Sequence, residues 1–374
     1  MTLRDDVKRY TQLFGPSGEE DIVIGMFVDD LRSLGYVPII DPLGNVSVAV
    51  NEGDKGGRHV VISAHMDEIG FVIRKIEPDG FCYVYRVGGI NDRIIAGQRV
   101  VFWTSKGQVE GHIGVKAKHV SSSEELGRAI TVDECYVDFL VGNCEELEAL
   151  GLTVGSLGTY VGPYREHGDF ICTKALDNRV GVALLLEIAR RFRETRVPSK
   201  VTLLATVQEE FSVRGGVPAV RRLAPDLIFC LDIAIAADTP DLRSLSDLKL
   251  GAGPVITRFT RASLNGIIPN PKLRALVAEV AKDVGISVQY GVLQGGLTDG
   301  SFMQYEAGGI PTLDVSFATR YTHTAVETCS YRDVSHIADL LQATLQVLTS
   351  DTDLSRGVTA RISVEPEPLN KNSG

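Results

Sequence analysis

Residues 60–71 read VVISAHMDEIGF. The first part is a buried-type strand that ends on two polar groups, His65 and Asp67. Two positions apart on a strand, they project to the same face. An apolar strand ending this way aims its polar group at the carboxyl edge of a sheet, where open α/β folds place their chemistry. Further segments follow the same plan: Asp177 in ICTKALDNRVGVALLLE, Glu209 and Glu210 in VTLLATVQEEF, Asp232 in LIFCLDIA, and His323 in RYTHT. Together these histidines and carboxylates suffice to hold two metal ions with one acid left over for catalysis.

Upstream of the opening stretch, LRDDVKRYTQLF has helical periodicity and GPSG breaks it. Ser17 followed by Glu20 predicts a capping box for a second helix, EEDIVIGMFVDDLRSLG, which Gly35 closes. YVPIID and NVSVAV alternate around the turn DPLG. Downstream, from about Gly70 to Pro163, short alternating runs such as GFVIRKI, GFCYVYRV and QRVVFWTS recur between turn residues. That is the pattern of a small all-β barrel or sandwich. From Asp169 the rhythm returns to strand–helix–strand, closing on DVSHIADLLQATLQVLTS. Nearly continuous apolar strands between amphipathic helices predict a sheet covered on both faces. The expected fold is α/β: a three-layer α/β/α domain from 1–69 and 164–360, an inserted β-barrel-like domain at 70–163, and a loose tail at 361–374.

The bulk numbers are ordinary for a globular protein: 374 residues, 44% hydrophobic and 23% charged. The net charge of -10 supplies no basic surplus for phosphates, so neither nucleic acid nor an anionic membrane is expected as partner. The charged N-terminal segment shows no signal peptide, and no apolar run reaches the roughly 18 residues of a membrane span. The six cysteines form no CxxC pair. Cys172 and Cys230 lie in apolar runs, which predicts buried free thiols and a reducing cytoplasm.

Each candidate has a plain structural role beside the chemical one. Asp67 is placed to orient His65 or to be a ligand itself. Asp177 opens a helix, where Asp is a favoured N-cap, but a short carboxylate there can also offer one oxygen to each of two metals. Glu209 and Glu210 are adjacent, so both reach one site only if the chain turns, which SVRGG permits. One would bind metal and the other activate water as general base. Asp232 within so apolar a run needs a partner, which a buried Arg or a backbone cap would also satisfy. His59, His112, His119, His167 and His336 stand in polar or loop contexts and read as structural.

The motifs GPSGEE, DPLGN, SAHMDEIGF, ALDNRVG, QEEFSVRGG, LDIAIAADTP, TDG at 298–300 and RYTHT, in this order and spacing, resemble those of a known family. These are the dinuclear-metal aminopeptidases that assemble as tetrahedral dodecamers, the glutamyl- and deblocking-aminopeptidase group, some of whose members carry an old cellulase label. The resemblance runs from about Gly15 to about Leu348. It implies that His65 and Asp232 hold one metal, that Glu210 and His323 hold the other, and that Asp177 bridges them. It also implies Glu209 as general base and Asp67 as the group orienting His65. The inserted segment resembles the family's dimerisation domain, so a homo-oligomer of dimers, up to a dodecamer, acting on short peptides is implied. One departure is Ser212, where the family usually has Gly, and it bears on the loop beside Glu209.

The nitrogen and oxygen ligand set suits Zn²⁺, Co²⁺ or Mn²⁺. The expected activity is removal of N-terminal residues from peptides through a water activated by two metals. A deacylase or amidohydrolase on the same metal core is the competing enzyme, and a catalytically silent scaffold the competing non-enzyme. A glycosidase needs two carboxyls about 5 Å or more apart across one bond, which adjacent Glu209 and Glu210 do not obviously supply. Arg320 could greet an acidic substrate side chain, or pair with a ligand carboxylate.

Overall fold

The computed structural model describes residues 1–356. The tail expected at 361–374 lies outside the described residues, as do the last four positions of the range given to the larger domain.

A large mixed sheet organises most of the chain. Its centre is four parallel strands, in the order Lys200–Thr206, His59–His65, Leu227–Ile235 and Thr312–Arg320. Val46–Asn51 extends it antiparallel on one side, Glu327–Ser330 and Phe170–Thr173 on the other. Alternate residues of the central strands enter separate apolar clusters. Val60, Ile62, Leu203 and Phe229 pack with the helices Leu3–Thr11, Asp21–Ser33, Leu176–Arg191 and Tyr331–Val347. Val61, Leu204, Ile228 and Cys230 pack with Ala219, Val220 and Met303 from two short helices. Both faces are therefore apolar, which is why these strands read as continuous hydrophobic runs rather than alternating ones.

Six strands between Gly70 and Tyr160 close into a barrel, in the order Gly70–Ile76, Cys82–Val87, Tyr136–Asp138, Gly107–Ile113, Arg99–Thr104 and Leu157–Tyr160. It has its own core, in which Phe71 meets Tyr160 edge-on at 5.2 Å and Phe102 meets Phe139 at 5.3 Å. The stretch SSSEELGRAI at 121–130 interrupts the barrel strands with a single helical turn, Ser123–Leu126.

The structure corrects the reading of Ser17 and Glu20. The second helix starts at Asp21 without a side-chain cap. Ser17 instead donates to Asp67 at 2.5 Å, and Glu20 accepts the backbone N–H groups of Gly18 and Gln208. Both groups are buried, so a tertiary partner replaces the local one. Two strands that the sequence did not suggest, Val255–Ala262 and Gln289–Gln294, branch from Thr312–Arg320. All six cysteines are free, with Cys230 buried and Cys172 only half-buried. Among the described residues, no helix is long and apolar enough to cross a membrane.

Candidate metal centre

The parallel register brings the candidate groups to one edge. Thr206 pairs with His65 at the strand ends, so the chain that continues to Glu209 leaves beside His65. Cys230 pairs with Ser63, which sets Asp232, two residues on, level with His65. Asp232 pairs in turn with Ser316, four positions before Arg320 ends its strand and the chain turns to His323.

Asp177 sits at the centre of the group. Its Oδ1 lies 3.1 Å from Nε2 of His65, and its Oδ2 lies 3.4 Å from Nε2 of His323. The same His323 nitrogen is 3.2 Å from Oε2 of Glu210. His65, Asp177 and Glu210 each offer a ligand atom within 4.8 Å of the others. Asp177, Glu209, Glu210, Asp232 and His323 all line one cavity of about 510 Å³, while His65 is buried behind it. The remaining histidines do not join the cluster: His59, for example, meets Thr202 at 2.9 Å.

Local backbone shapes the group. The N-cap of the long helix is Ala175, in the left-handed region, and not Asp177, whose φ/ψ are non-helical. The helical N-cap role is thus overturned for Asp177, and its carboxylate is free to face the two histidines. Asn178, joined to it by a cis peptide bond, donates to Leu231 O at 2.7 Å and accepts from Gly181 N–H. Glu209 and Glu210 form a single turn, Glu209–Ser212, between Gln208 and Val213, both left-handed at φ 57° and 55°. Residues with side chains adopt that region only when their surroundings enforce it. The chain therefore turns at Gln208, before the pair, and both carboxylates reach the same cavity. Ser212 closes the turn by donating to Gln208 O at 3.2 Å, and it does not line the cavity.

Asp67 does more than contact His65. Its carboxylate Oδ1 is 3.4 Å from Nδ1 of that ring, and its backbone oxygen is 3.2 Å away. The two carboxylate oxygens also accept the backbone N–H groups of Glu209 and Glu210, each at 3.0 Å. Asp67 thus fixes the turn that carries both glutamates. Glu327, absent from the sequence reading, plays a matching part on the other side. It accepts His323 N–H at 2.6 Å and Asp177 N–H at 3.0 Å, so one buried carboxylate holds the backbone of two cluster residues. Arg320 corrects a further expectation: it makes a two-pronged pair with Asp238, at 2.7 and 2.6 Å, and not with any carboxylate of the cluster.

The electrostatics are those of concentrated, desolvated negative charge. Burial, with the charge of Asp177, holds Asp232 well above the usual carboxylate range. Burial likewise raises Glu209, with Asp232 adding to it. His65 is raised despite burial, because Asp177 and Asp67 outweigh it. One buried oxygen, Oε1 of Glu210, has no hydrogen-bond partner. Such a group is costly unless a cation or proton meets it. Oxygen and imidazole donors converging on a pocket, one of them orphaned, fit divalent metal ions.

Known proteins resemble this chain along most of its length. A lysyl aminopeptidase of Pyrococcus furiosus is 30% identical over 347 residues, covering 91% of this chain and 96% of that protein. An aminopeptidase of the archaeon Desulfurococcus kamchatkensis superposes with a TM-score of 0.89 at 32% identity, over 96% of this chain and 98% of that one. The TET1 peptidase of Pyrococcus horikoshii, described as assembling into a tetrahedron or a large octahedral shell, superposes with a TM-score of 0.82 at 29% identity. It covers 93% of this chain and 100% of that one. Residues 44–340 match the M42 glutamyl aminopeptidase family, and the chain belongs to that family of metal-dependent aminopeptidases.

Proposed function

We propose that this aminopeptidase works through two divalent ions, Zn²⁺ or Co²⁺ with Mn²⁺ as a further candidate, held at the Asp177 cluster. The single observation that carries this reading is the posture of Asp177, whose two oxygens face two different histidines. His65 and Asp232 would hold one ion, Glu210 and His323 the other, with Asp177 shared between them. When bound, two such ions lower the pKa of a water and polarise the scissile carbonyl.

The protein's own groups do the rest. Glu209 takes the proton of the attacking water and returns it to the leaving amine. Asp67 keeps His65 in one orientation and, through the two backbone N–H groups it accepts, keeps Glu209 in register with the cluster. The free α-amino group of the peptide docks among the carboxylates, which restricts cleavage to the N-terminus.

The architecture we infer around this site is a three-layer α/β/α domain from 1–69 and 164–360. The barrel at 70–163 serves as its dimerisation domain. Dimers assemble to a dodecamer acting on short peptides in the cytoplasm, a compartment that six free cysteines suit.

The test is hydrolysis of aminoacyl and N-acetyl-aminoacyl anilides by chelator-stripped protein, with Co²⁺, Zn²⁺ or Mn²⁺ restored. Metal-dependent cleavage of the free-amine compounds alone is expected. Cleavage of the acetylated set would make the protein a deacylase instead.

A further inference from the structure

The cavity beside the cluster has a second half. Besides the metal-binding groups, its wall carries Ile233, Leu248, Phe259, Val292, Leu293 and Leu297. These come from the end of the Asp232 strand, the loop after it, the two strands that the sequence did not suggest and, for Leu297, the loop that follows Gln294. Among the described residues, no lysine or arginine lines the cavity.

Three arginines near this wall are engaged elsewhere. Arg320 is locked onto Asp238. Arg258, between the lining residues Thr257 and Phe259, stacks over the Tyr290 ring at 4.1 Å. Arg261 bonds the backbone oxygen of Ser263. A substrate carboxylate entering here would lose its water and find hydroxyls such as those of Thr257 and Thr260 but, among the described residues, no cationic lining side chain to balance its charge, which is the costly case for a buried charge.

We propose that this wall is the specificity pocket for the N-terminal side chain, and that it selects uncharged apolar residues and rejects acidic ones. The inference rests on the aminopeptidase reading and names its substrate class. It differs from what the family description and the Pyrococcus furiosus relative would suggest by their glutamyl and lysyl labels. Asp314, on the cavity floor, is fully buried and accepts the Thr298 hydroxyl at 3.1 Å.

Two readouts test the proposal. The first is kcat/KM for leucyl, methionyl, glutamyl and lysyl anilides. The second is calorimetric binding of leucine, glutamic acid and lysine hydroxamates to the metal-loaded protein, which needs no turnover. Leucyl or methionyl substrates are expected to exceed glutamyl by roughly 100-fold, with the hydroxamates in the same order. Val292→Arg, at an exposed lining position, should narrow the leucyl-to-glutamyl ratio by about 10-fold.

Glutamyl or lysyl compounds ahead in either readout would overturn the pocket assignment. An unchanged ratio in a folded Val292→Arg protein would also count against it. Silence of all anilides with the leucine hydroxamate still binding best would sustain the pocket and sink the aminopeptidase reading. Silence with no preference among the hydroxamates would sink both.

Discussion

Each carboxylate in the cluster has a distinct set of neighbours, and its chemistry follows from them. Glu209 is buried beside Asp232 and holds no histidine within bonding distance, whereas Glu210 meets His323 at 3.2 Å. These surroundings match the proposed roles, proton transfer for the first and metal binding for the second. Glu209→Gln should therefore lower kcat by about 10²–10⁴ with metal content unchanged, read by anilide kinetics and elemental analysis of the same sample. Equal activity in the variant would end the base assignment. Glu327 acts at one remove, through the backbone of Asp177 and His323. Glu327→Ala frees two buried N–H groups and should weaken metal binding by about 10–100-fold, measured by competition with a chelator. The cluster itself was legible because buried strands that end in charge are costly without a use. Glu327 was not, since AVETCS gives no hint that its glutamate is buried. Ser17 and Glu20 were misread for a related reason: a Ser-x-x-Glu spacing serves a helix cap and a tertiary contact equally well.

At the scale of elements, the turn Glu209–Ser212 is held from three directions. Asp67 takes its two leading N–H groups, Glu20 takes that of Gln208, and Gly215 lies against the strand end behind it. A Cβ on Gly215 would stand 1.5 Å from the backbone oxygen of Val207, so any side chain there displaces the turn. Gly215→Ala should cost about 3 kcal/mol or more and depress activity with it, visible as a lowered melting temperature. The parallel strands around this turn were readable from their unbroken apolar runs. Val255–Ala262 and Gln289–Gln294 were not, because VITRFTRA and QYGVLQ carry polar residues and lie at the margin of the sheet, partly exposed. Val255 and Ile256 enter apolar clusters while later residues of both strands border the cavity, and that mixed pattern is a tertiary property.

Across the whole molecule, buried acid governs how stability responds to pH. Asp314 is raised from 3.8 to about 7 by burial. The folded chain therefore binds more protons than the unfolded one between those values, and stability falls as pH rises through that window. Asp314→Asn removes the contribution, so its melting temperature should gain on the wild type between pH 4.5 and pH 8. A difference that stays constant would contradict the assignment. The net charge of -10 argues against nucleic acid and anionic surfaces as partners, while assembly is written in surfaces that a single chain does not resolve from its sequence pattern. Sedimentation should give a dodecamer, and a monomer would count against the role given to the barrel.

The most direct measurement is the metal content of purified protein after dialysis against Co²⁺ or Zn²⁺, taken for the wild type and for Asp177→Asn. Two ions per chain in the wild type and fewer in the variant are expected. One ion per chain, or two that survive the substitution at full affinity, would contradict a centre bridged by Asp177.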